Sequence, residues 1–391
     1  MSVMDKYLSE VVKSIPPSGI RKFFDLVSQT EGVISLGVGE PDFVTPWHIR
    51  EACLYSLEKG YTMYTSNSGL PELREEIARY QQRTNGLDYD PDKQILITVG
   101  VSEAIDIALR ALIEPGDEVL VPEPCFVSYA PGAVLAYGKA VPVETFADDQ
   151  YRLRLDSLAE KISPRSKVLF LAYPNNPTGG IMDREDLMAL VDIIIKNDLI
   201  VISDEIYSEL TYEGEHVSIA SLPGMKERTL VMNGFSKAFA MTGWRIGYVC
   251  GHSDIIGALT KIHQYTIMCA PIMAQKAAIE ALRHGEEQMR KMIDDYNYRR
   301  KLIVNSLRQI GMDCFEPRGA FYCFPSVSKT GLSSEEFCER LLMEEQVAAV
   351  PGNAFGSSGE GYIRCCYAAS VSNIEEAVER MGRLIERHNN A

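Results

Sequence analysis

The chain has 391 residues, more than one typical core holds, so two domains, possibly interleaved, are expected. Hydrophobic residues make up 46% and charged residues 24%, an ordinary globular balance that excludes a largely disordered chain. Subtracting 54 acidic from 39 basic side chains leaves a formal charge of -15, which repels phosphate backbones and anionic lipid and argues against nucleic-acid or membrane partners.

In chain order, an amino-terminal arm reaches to about residue 49, and apolar, β-rich runs then alternate with helical patterns. The first run, Gln94 to Val99, is followed by Gly100-Val101-Ser102, which opens a helix with apolar positions Ile105, Ala108, Leu109 and Leu112. Further strands are predicted at Glu118 to Val121, Lys167 to Ala172, Leu199 to Ser203 and Thr229 to Met232. Between Lys167 to Ala172 and Leu199 to Ser203, Leu187, Leu190, Val191 and Ile194 follow helical spacing behind Asp183 as cap, which makes a βαβ unit. The Ile246 to Cys250 run follows too closely for a helical crossover and is expected to be antiparallel to its neighbour. After Gly285 come a long charged helix through Leu307 and strands near Ala320 to Phe324, Val347 to Val350 and Tyr362 to Tyr367. A last helix is expected at Ser372, where Ser372-Asn-Ile-Glu375 reads as a capping box. The pattern predicts an α/β domain over 50–285 and a smaller α+β domain built from 1–49 and 286–391.

Nine cysteines without a Cys-x-x-Cys pair read as reduced thiols, and six histidines without His-x-x-x-His spacing disfavour zinc. Residues 1–6 lack a secretory pattern, and no apolar run approaches the roughly 18 to 20 residues that span a bilayer. A cytoplasmic protein is expected.

Polar residues cluster where strands end, and in open α/β sheets that edge collects ligands. Gly100-Val101-Ser102 offers a helix N-terminus suited to a phosphate, although Ser102 is equally an ordinary N-cap. Asp204-Glu205-Ile206-Tyr207 ends a strand; the acidic pair alone also fits a helix start. Pro174-Asn-Asn176-Pro-Thr-Gly179 is turn chemistry that would hold Asn176 over the sheet end. Lys237, in Asn233-Gly-Phe-Ser236-Lys237, is alone no more than a surface lysine, but eight residues on stands Arg245, whose guanidinium fork suits a phosphate. Together they answer the needs of pyridoxal 5′-phosphate: an amine for its aldehyde, an acid for its ring nitrogen, donors for its phenolic oxygen, and cations and N–H groups for its phosphate.

The chain resembles the fold-type I, class I aminotransferases over its whole length, from Ser35-Leu-Gly-Val-Gly39-Glu-Pro-Asp42 through Tyr64, Gly69-Leu-Pro-Glu-Leu-Arg74 and Ser236-Lys-Ala-Phe-Ala-Met-Thr-Gly-Trp-Arg245 to Gly361-Tyr-Ile-Arg364. It is most similar to the branch with prokaryotic aspartate, aromatic and N-acetyl-diaminopimelate aminotransferases. The resemblance implies a mostly parallel seven-stranded sheet flanked by helices, plus the smaller domain. It implies that Lys237 forms an imine with the cofactor, Asp204 partners the ring nitrogen, and Tyr207 and Asn176 face the phenolic oxygen. Val101, Ser102 and Arg245 would hold the phosphate, Ser236 would belong to the cofactor's shell, Phe126 would stack on the ring, and Tyr64 would reach the neighbouring subunit's phosphate in a homodimer with shared sites. Arg364 and Gly39 would take the substrate α-carboxylate, with Phe126 and Asn176 beside it. Many relatives carry serine where Gly234 stands here, which leaves the part of Ser236 open.

The expected reaction moves an amino group from an L-amino acid, aromatic or aspartate-like, to a 2-oxo acid such as 2-oxoglutarate by a ping-pong scheme. Lys237 would be the proton carrier, its pKa lowered by nearby positive charge. A β-lyase acting on cysteine conjugates and a non-catalytic binding protein of the same fold are the alternatives. A dinucleotide site is set aside because Gly37-Val-Gly39 lacks its third glycine. No arginine between Ile262 and Lys276 would meet a second carboxylate, which favours aromatic or other bulky donors. Arg21 is a candidate for closing over the substrate, and Gly352 to Gly361 reads as a mobile or plain surface loop near the pocket.

Overall fold

The computed structural model describes residues 4–17 and 32–389; Arg21 lies outside them. Seven strands form one sheet in the order Ile95–Thr98, Gly247–Cys250, Thr229–Gly234, Ile200–Asp204, Ser166–Leu171, Glu118–Glu123, Lys139–Glu144. Within it only Gly247–Cys250 runs antiparallel to its neighbours, as its short connection from Thr229–Gly234 requires. Ile95–Thr98, Gly247–Cys250, Thr229–Gly234 and Ile200–Asp204 are buried almost residue by residue because helices cover both faces, which is why they read as continuous apolar runs. Lys139–Glu144 is a strand that the apolar pattern did not mark. It lies at the sheet edge, with half of its residues exposed and only Val143 fully buried.

Helix Gly100–Leu112 and helix Arg184–Lys196 stand where predicted, the latter capped by Asp183, whose N–H donates to Asp186 Oδ2 at 3.0 Å. The carboxy-terminal part holds helix Glu286–Gln309 and a three-stranded sheet of Val350–Pro351, Ile363–Cys366 and Tyr322–Cys323. The single strand expected over 347–350 is two: Val347–Ala348 pairs with Ile34–Ser35 of the amino-terminal arm, and Val350–Pro351 pairs with Ile363–Cys366. The last helix, Val371–Asn389, begins before the expected capping box; Ser370 Oγ, not Ser372, accepts from a first-turn amide, that of Asn373 at 3.2 Å. One apolar core runs from Leu36 and Ile49 through Ile97, Phe235 and Phe321 to Leu384, so the carboxy-terminal part is seated on the sheet.

Candidate active site

The carboxyl ends of Ile95–Thr98, Ser166–Leu171, Ile200–Asp204 and Thr229–Gly234 open onto a cavity of about 470 Å³. Gly39, Val101, Ser102, Phe126, Asn176, Asp204, Tyr207, Ser236, Lys237, Arg245 and Arg364 all line it. Tyr64 does not: its side chain is 81% exposed on this chain.

Lys237 sits three residues beyond the strand end at Gly234, and its Nζ donates to the Gly39 carbonyl at 2.7 Å. The ammonium lies 5.6 Å from the Phe321 ring centroid and 5.7 Å from that of Tyr207. Burial pushes its pKa down to about 8; Cys366 and Glu40 oppose that shift, and Arg364 and Arg245 add to it. The dominant cause is therefore desolvation, and positive charge, the cause expected from the sequence, is the lesser one.

Asp204 closes its strand, and no helix starts there, because residues 206–209 form a turn. Its Oδ2 accepts from Tyr129 Oη at 2.8 Å and its Oδ1 from the Ile206 N–H at 3.2 Å. Burial pushes the Asp204 pKa up to about 6 against these two donors. Glu205 turns away, accepting from Ser203 Oγ at 2.9 Å and Ser218 Oγ at 2.6 Å. Tyr207 Oη lies 2.7 Å from Tyr322 Oη.

The turn at Pro174–Gly179 is held from within by Asn175, whose Oδ1 accepts from the Thr178 N–H at 3.2 Å and the Thr178 hydroxyl at 2.9 Å. This fixes Asn176 against Arg364, whose Nη1 donates to Asn176 Oδ1 at 2.9 Å while Nη2 donates to the Gly37 carbonyl at 2.6 Å. Arg364 is buried between the Tyr322 and Phe355 rings, at 4.5 and 4.8 Å, and its Nε has no partner among the described residues. A buried guanidinium in a cavity wall, with an N–H left without a protein partner, suits an anion. Phe355 belongs to the glycine-rich segment, which forms short helical turns over Gly352–Phe355 and Ser357–Gly359. That segment is tied to the sheet end where the Cys125 N–H donates to the Phe355 carbonyl at 2.9 Å.

At the other end, Val99 rather than Ser102 is the N-cap of helix Gly100–Leu112, and no side chain caps it. Ser102 is exposed toward the cavity. Gly100 has φ +73°, and a Cβ there would lie 2.6 Å from Arg245 Nη2, so the guanidinium lies directly on the turn. Arg245 itself is left-handed at φ 50°. At Gly234 a Cβ would stand 3.0 Å from the Ile246 carbonyl oxygen, so a serine there needs that neighbour to shift by a few tenths of an ångström.

An amine, a carboxylate, a helix N-terminus with an arginine, and a second, buried arginine thus converge on one cavity. The family described as aminotransferase class I and II matches residues 31–381. A Bacillus subtilis protein, YugH, is 53% identical over 98% of this chain and 100% of its own length. The aspartate aminotransferase of Pyrococcus abyssi is 46% identical over 97% of this chain and 98% of its own. The crystal structure of the aromatic aminotransferase from Pyrococcus horikoshii superposes with a TM-score of 0.91 at 44% identity, covering 94% of this chain and 100% of that one. The chain belongs to the class I and II aminotransferases.

It is a pyridoxal 5′-phosphate-dependent aminotransferase of fold type I. The cavity fits that cofactor: the acid, the amine and the uncapped helix end with Arg245 stand around it, and the Arg364 guanidinium in its wall suits a further anion. The family and the relatives named for aspartate and for aromatic amino acids support the first of the expected readings, an aminotransferase. Two site residues escaped sequence reasoning, Tyr129 and Tyr322, whose hydroxyls meet Asp204 and Tyr207 from 75 and 115 residues away in the chain.

Proposed function

We propose that this aminotransferase moves the amino group of an aromatic or other bulky neutral L-amino acid to 2-oxoglutarate, in two half-reactions that share one site. The observation that carries the donor class is the charge of the cavity wall. Among the described residues its cations are Lys237, Arg245 and Arg364, each with a task, and a further exposed charge there is Glu40, which repels a distal carboxylate. Relatives named for aspartate and for aromatic amino acids are similarly close, so they do not decide the donor.

Bound pyridoxal phosphate supplies an electron-accepting ring that stabilises negative charge at the donor's α-carbon. In our reading Lys237 holds the cofactor and, once released, carries the proton from the α-carbon; with a pKa of about 8 a useful share of it is a free amine near neutral pH. Asp204, oriented by Tyr129, keeps a proton on the ring nitrogen. Tyr207, oriented by Tyr322, and Asn176 serve the phenolic oxygen. Val101, Ser102, Ser236 and Arg245 hold the phosphate, and Phe126 covers the ring. Arg364 and Gly39 take the substrate α-carboxylate.

We further infer a cytoplasmic homodimer. Tyr64 is exposed beside Met63, and Tyr265 and Met268 add further exposed apolar surface, with Asn67 Nδ2 donating to the Met268 carbonyl at 2.7 Å to join the two segments. Nine unpaired cysteines suit a reducing compartment. Within each subunit, 1–49 and 286–391 would close over 50–285. A panel of amino donors with 2-oxoglutarate, read as glutamate formed, tests the donor class. Phenylalanine or tyrosine should exceed aspartate about tenfold or more in kcat/KM, the worth of one unmatched charge, and a preference for aspartate would refute the reading.

A further inference from the structure

Behind the helix end that faces the cavity lies an ion-pair geometry that nothing in the reaction uses directly. Glu103 stands in the first turn of helix Gly100–Leu112, a place where a carboxylate would compete with a phosphate for the same field. It does not point outward. Its Oε2 accepts from the Val99 N–H at 2.5 Å, and its Oε1 lies 2.6 Å from His263 Nδ1. His263 is fully buried in helix Ser253–Thr266, which packs alongside helix Gly100–Leu112. His263 Nε2 has no partner among the described residues, so within them Nδ1 is the imidazole's single polar attachment. A buried imidazole kept with one orphaned nitrogen costs stability, and the one bond it makes is to Glu103.

Val99 is the residue before the Gly100 turn against which Arg245 packs. Fixing the Val99 N–H therefore fixes where the next amides and Arg245 stand. The carboxy-terminal end of the His263 helix serves the neighbouring segment as well: the His263 carbonyl accepts from the Ile267 N–H at 2.8 Å and the Met268 N–H at 3.1 Å, and Met268 in turn holds Asn67, three residues beyond Tyr64.

We propose that His263 and Glu103 are positioning residues for the cofactor's phosphate: the imidazole N–H turns the Glu103 carboxylate inward, and the carboxylate holds the Val99 amide so that the Gly100–Ser102 turn presents its N–H groups to the phosphate. This rests on placing the phosphate at that helix end. Neither residue touches the cofactor. The pair acts on the phosphate and not on the pyridine ring or the imine carbon.

That division supplies the test. The full-length chain, freed of cofactor, is titrated with pyridoxal 5′-phosphate and with pyridoxal, which lacks the phosphate, and the ratio of the two affinities is compared among variants. His263→Leu and Glu103→Ala should each lower the ratio about tenfold, and the double variant should lower it no further than either alone, as members of one unit do. His263→Asn keeps an N–H where Nδ1 stands and should keep the ratio, a rescue that remains readable if His263→Leu fails to fold. Arg245→Ala should lower the ratio independently. Loss of the ratio in Arg245→Ala beside an unchanged ratio in His263→Leu and Glu103→Ala would overturn the role of the pair alone. An unchanged ratio in Arg245→Ala would overturn the phosphate placement and this inference with it.

Discussion

Tyr129 Oη donates to Asp204 Oδ2 across 2.8 Å, both groups buried, so the acid at the strand end is oriented from a helix beginning 75 residues earlier. Tyr129 is itself stacked on Phe170, with ring centroids 4.5 Å apart, which leaves the hydroxyl little freedom to swing away.

Tyr129→Phe removes that donor and keeps the ring. A hydrogen bond to a charged acceptor is worth about 1.5 to 3 kcal/mol, so kcat should fall roughly 10- to 100-fold with the fold intact. The carboxylate becomes a poorer anion, so the pH at which the bound cofactor's absorption band changes should move too. Steady-state kinetics with a spectrophotometric pH titration checks both, and wild-type values for both would remove Tyr129 from the site.

Burial sets the reactivity of Lys237, and the sign follows. With its pKa at about 8 instead of 10.5, the rate of covalent cofactor attachment to the cofactor-free protein should rise with pH and level off above about 8. A rate still climbing at pH 10 would mean an ordinary lysine. Stability of the cofactor-free protein should rise between pH 8 and 10.5, where the unfolded chain holds the lysine proton and the folded one does not. For Asp204, raised from 3.8 to about 6, stability should fall as pH rises through that interval, since there the folded state alone is protonated. Thermal unfolding across pH measures both.

Arg364→Lys keeps the charge but loses the planar fork that holds Asn176 and Gly37. KM for every amino donor should rise by about 10- to 100-fold, while covalent cofactor attachment stays normal. A change confined to one donor would mean that Arg364 reads the side chain instead of the α-carboxylate.

How much of this was legible beforehand follows from where the information lies. Buried parallel strands announce themselves as apolar runs, and Lys237, Asp204 and Asn176 were found because each follows such a run or its turn. Lys139–Glu144 escaped because only Val143 of its six residues is fully buried, so it shows no continuous apolar run. Tyr129 and Tyr322 escaped because which hydroxyl meets Asp204 or Tyr207 depends on helix and strand packing across long stretches of chain. The cause of the Lys237 shift was misjudged for the same reason: cations are visible in a sequence, but burial is a property of the assembled cavity.

The most direct measurement of the central claim is borohydride reduction of the cofactor-loaded enzyme followed by peptide mapping. The account predicts the reduced cofactor on one peptide, attached to Lys237. Attachment at any other lysine, or at none, would contradict it.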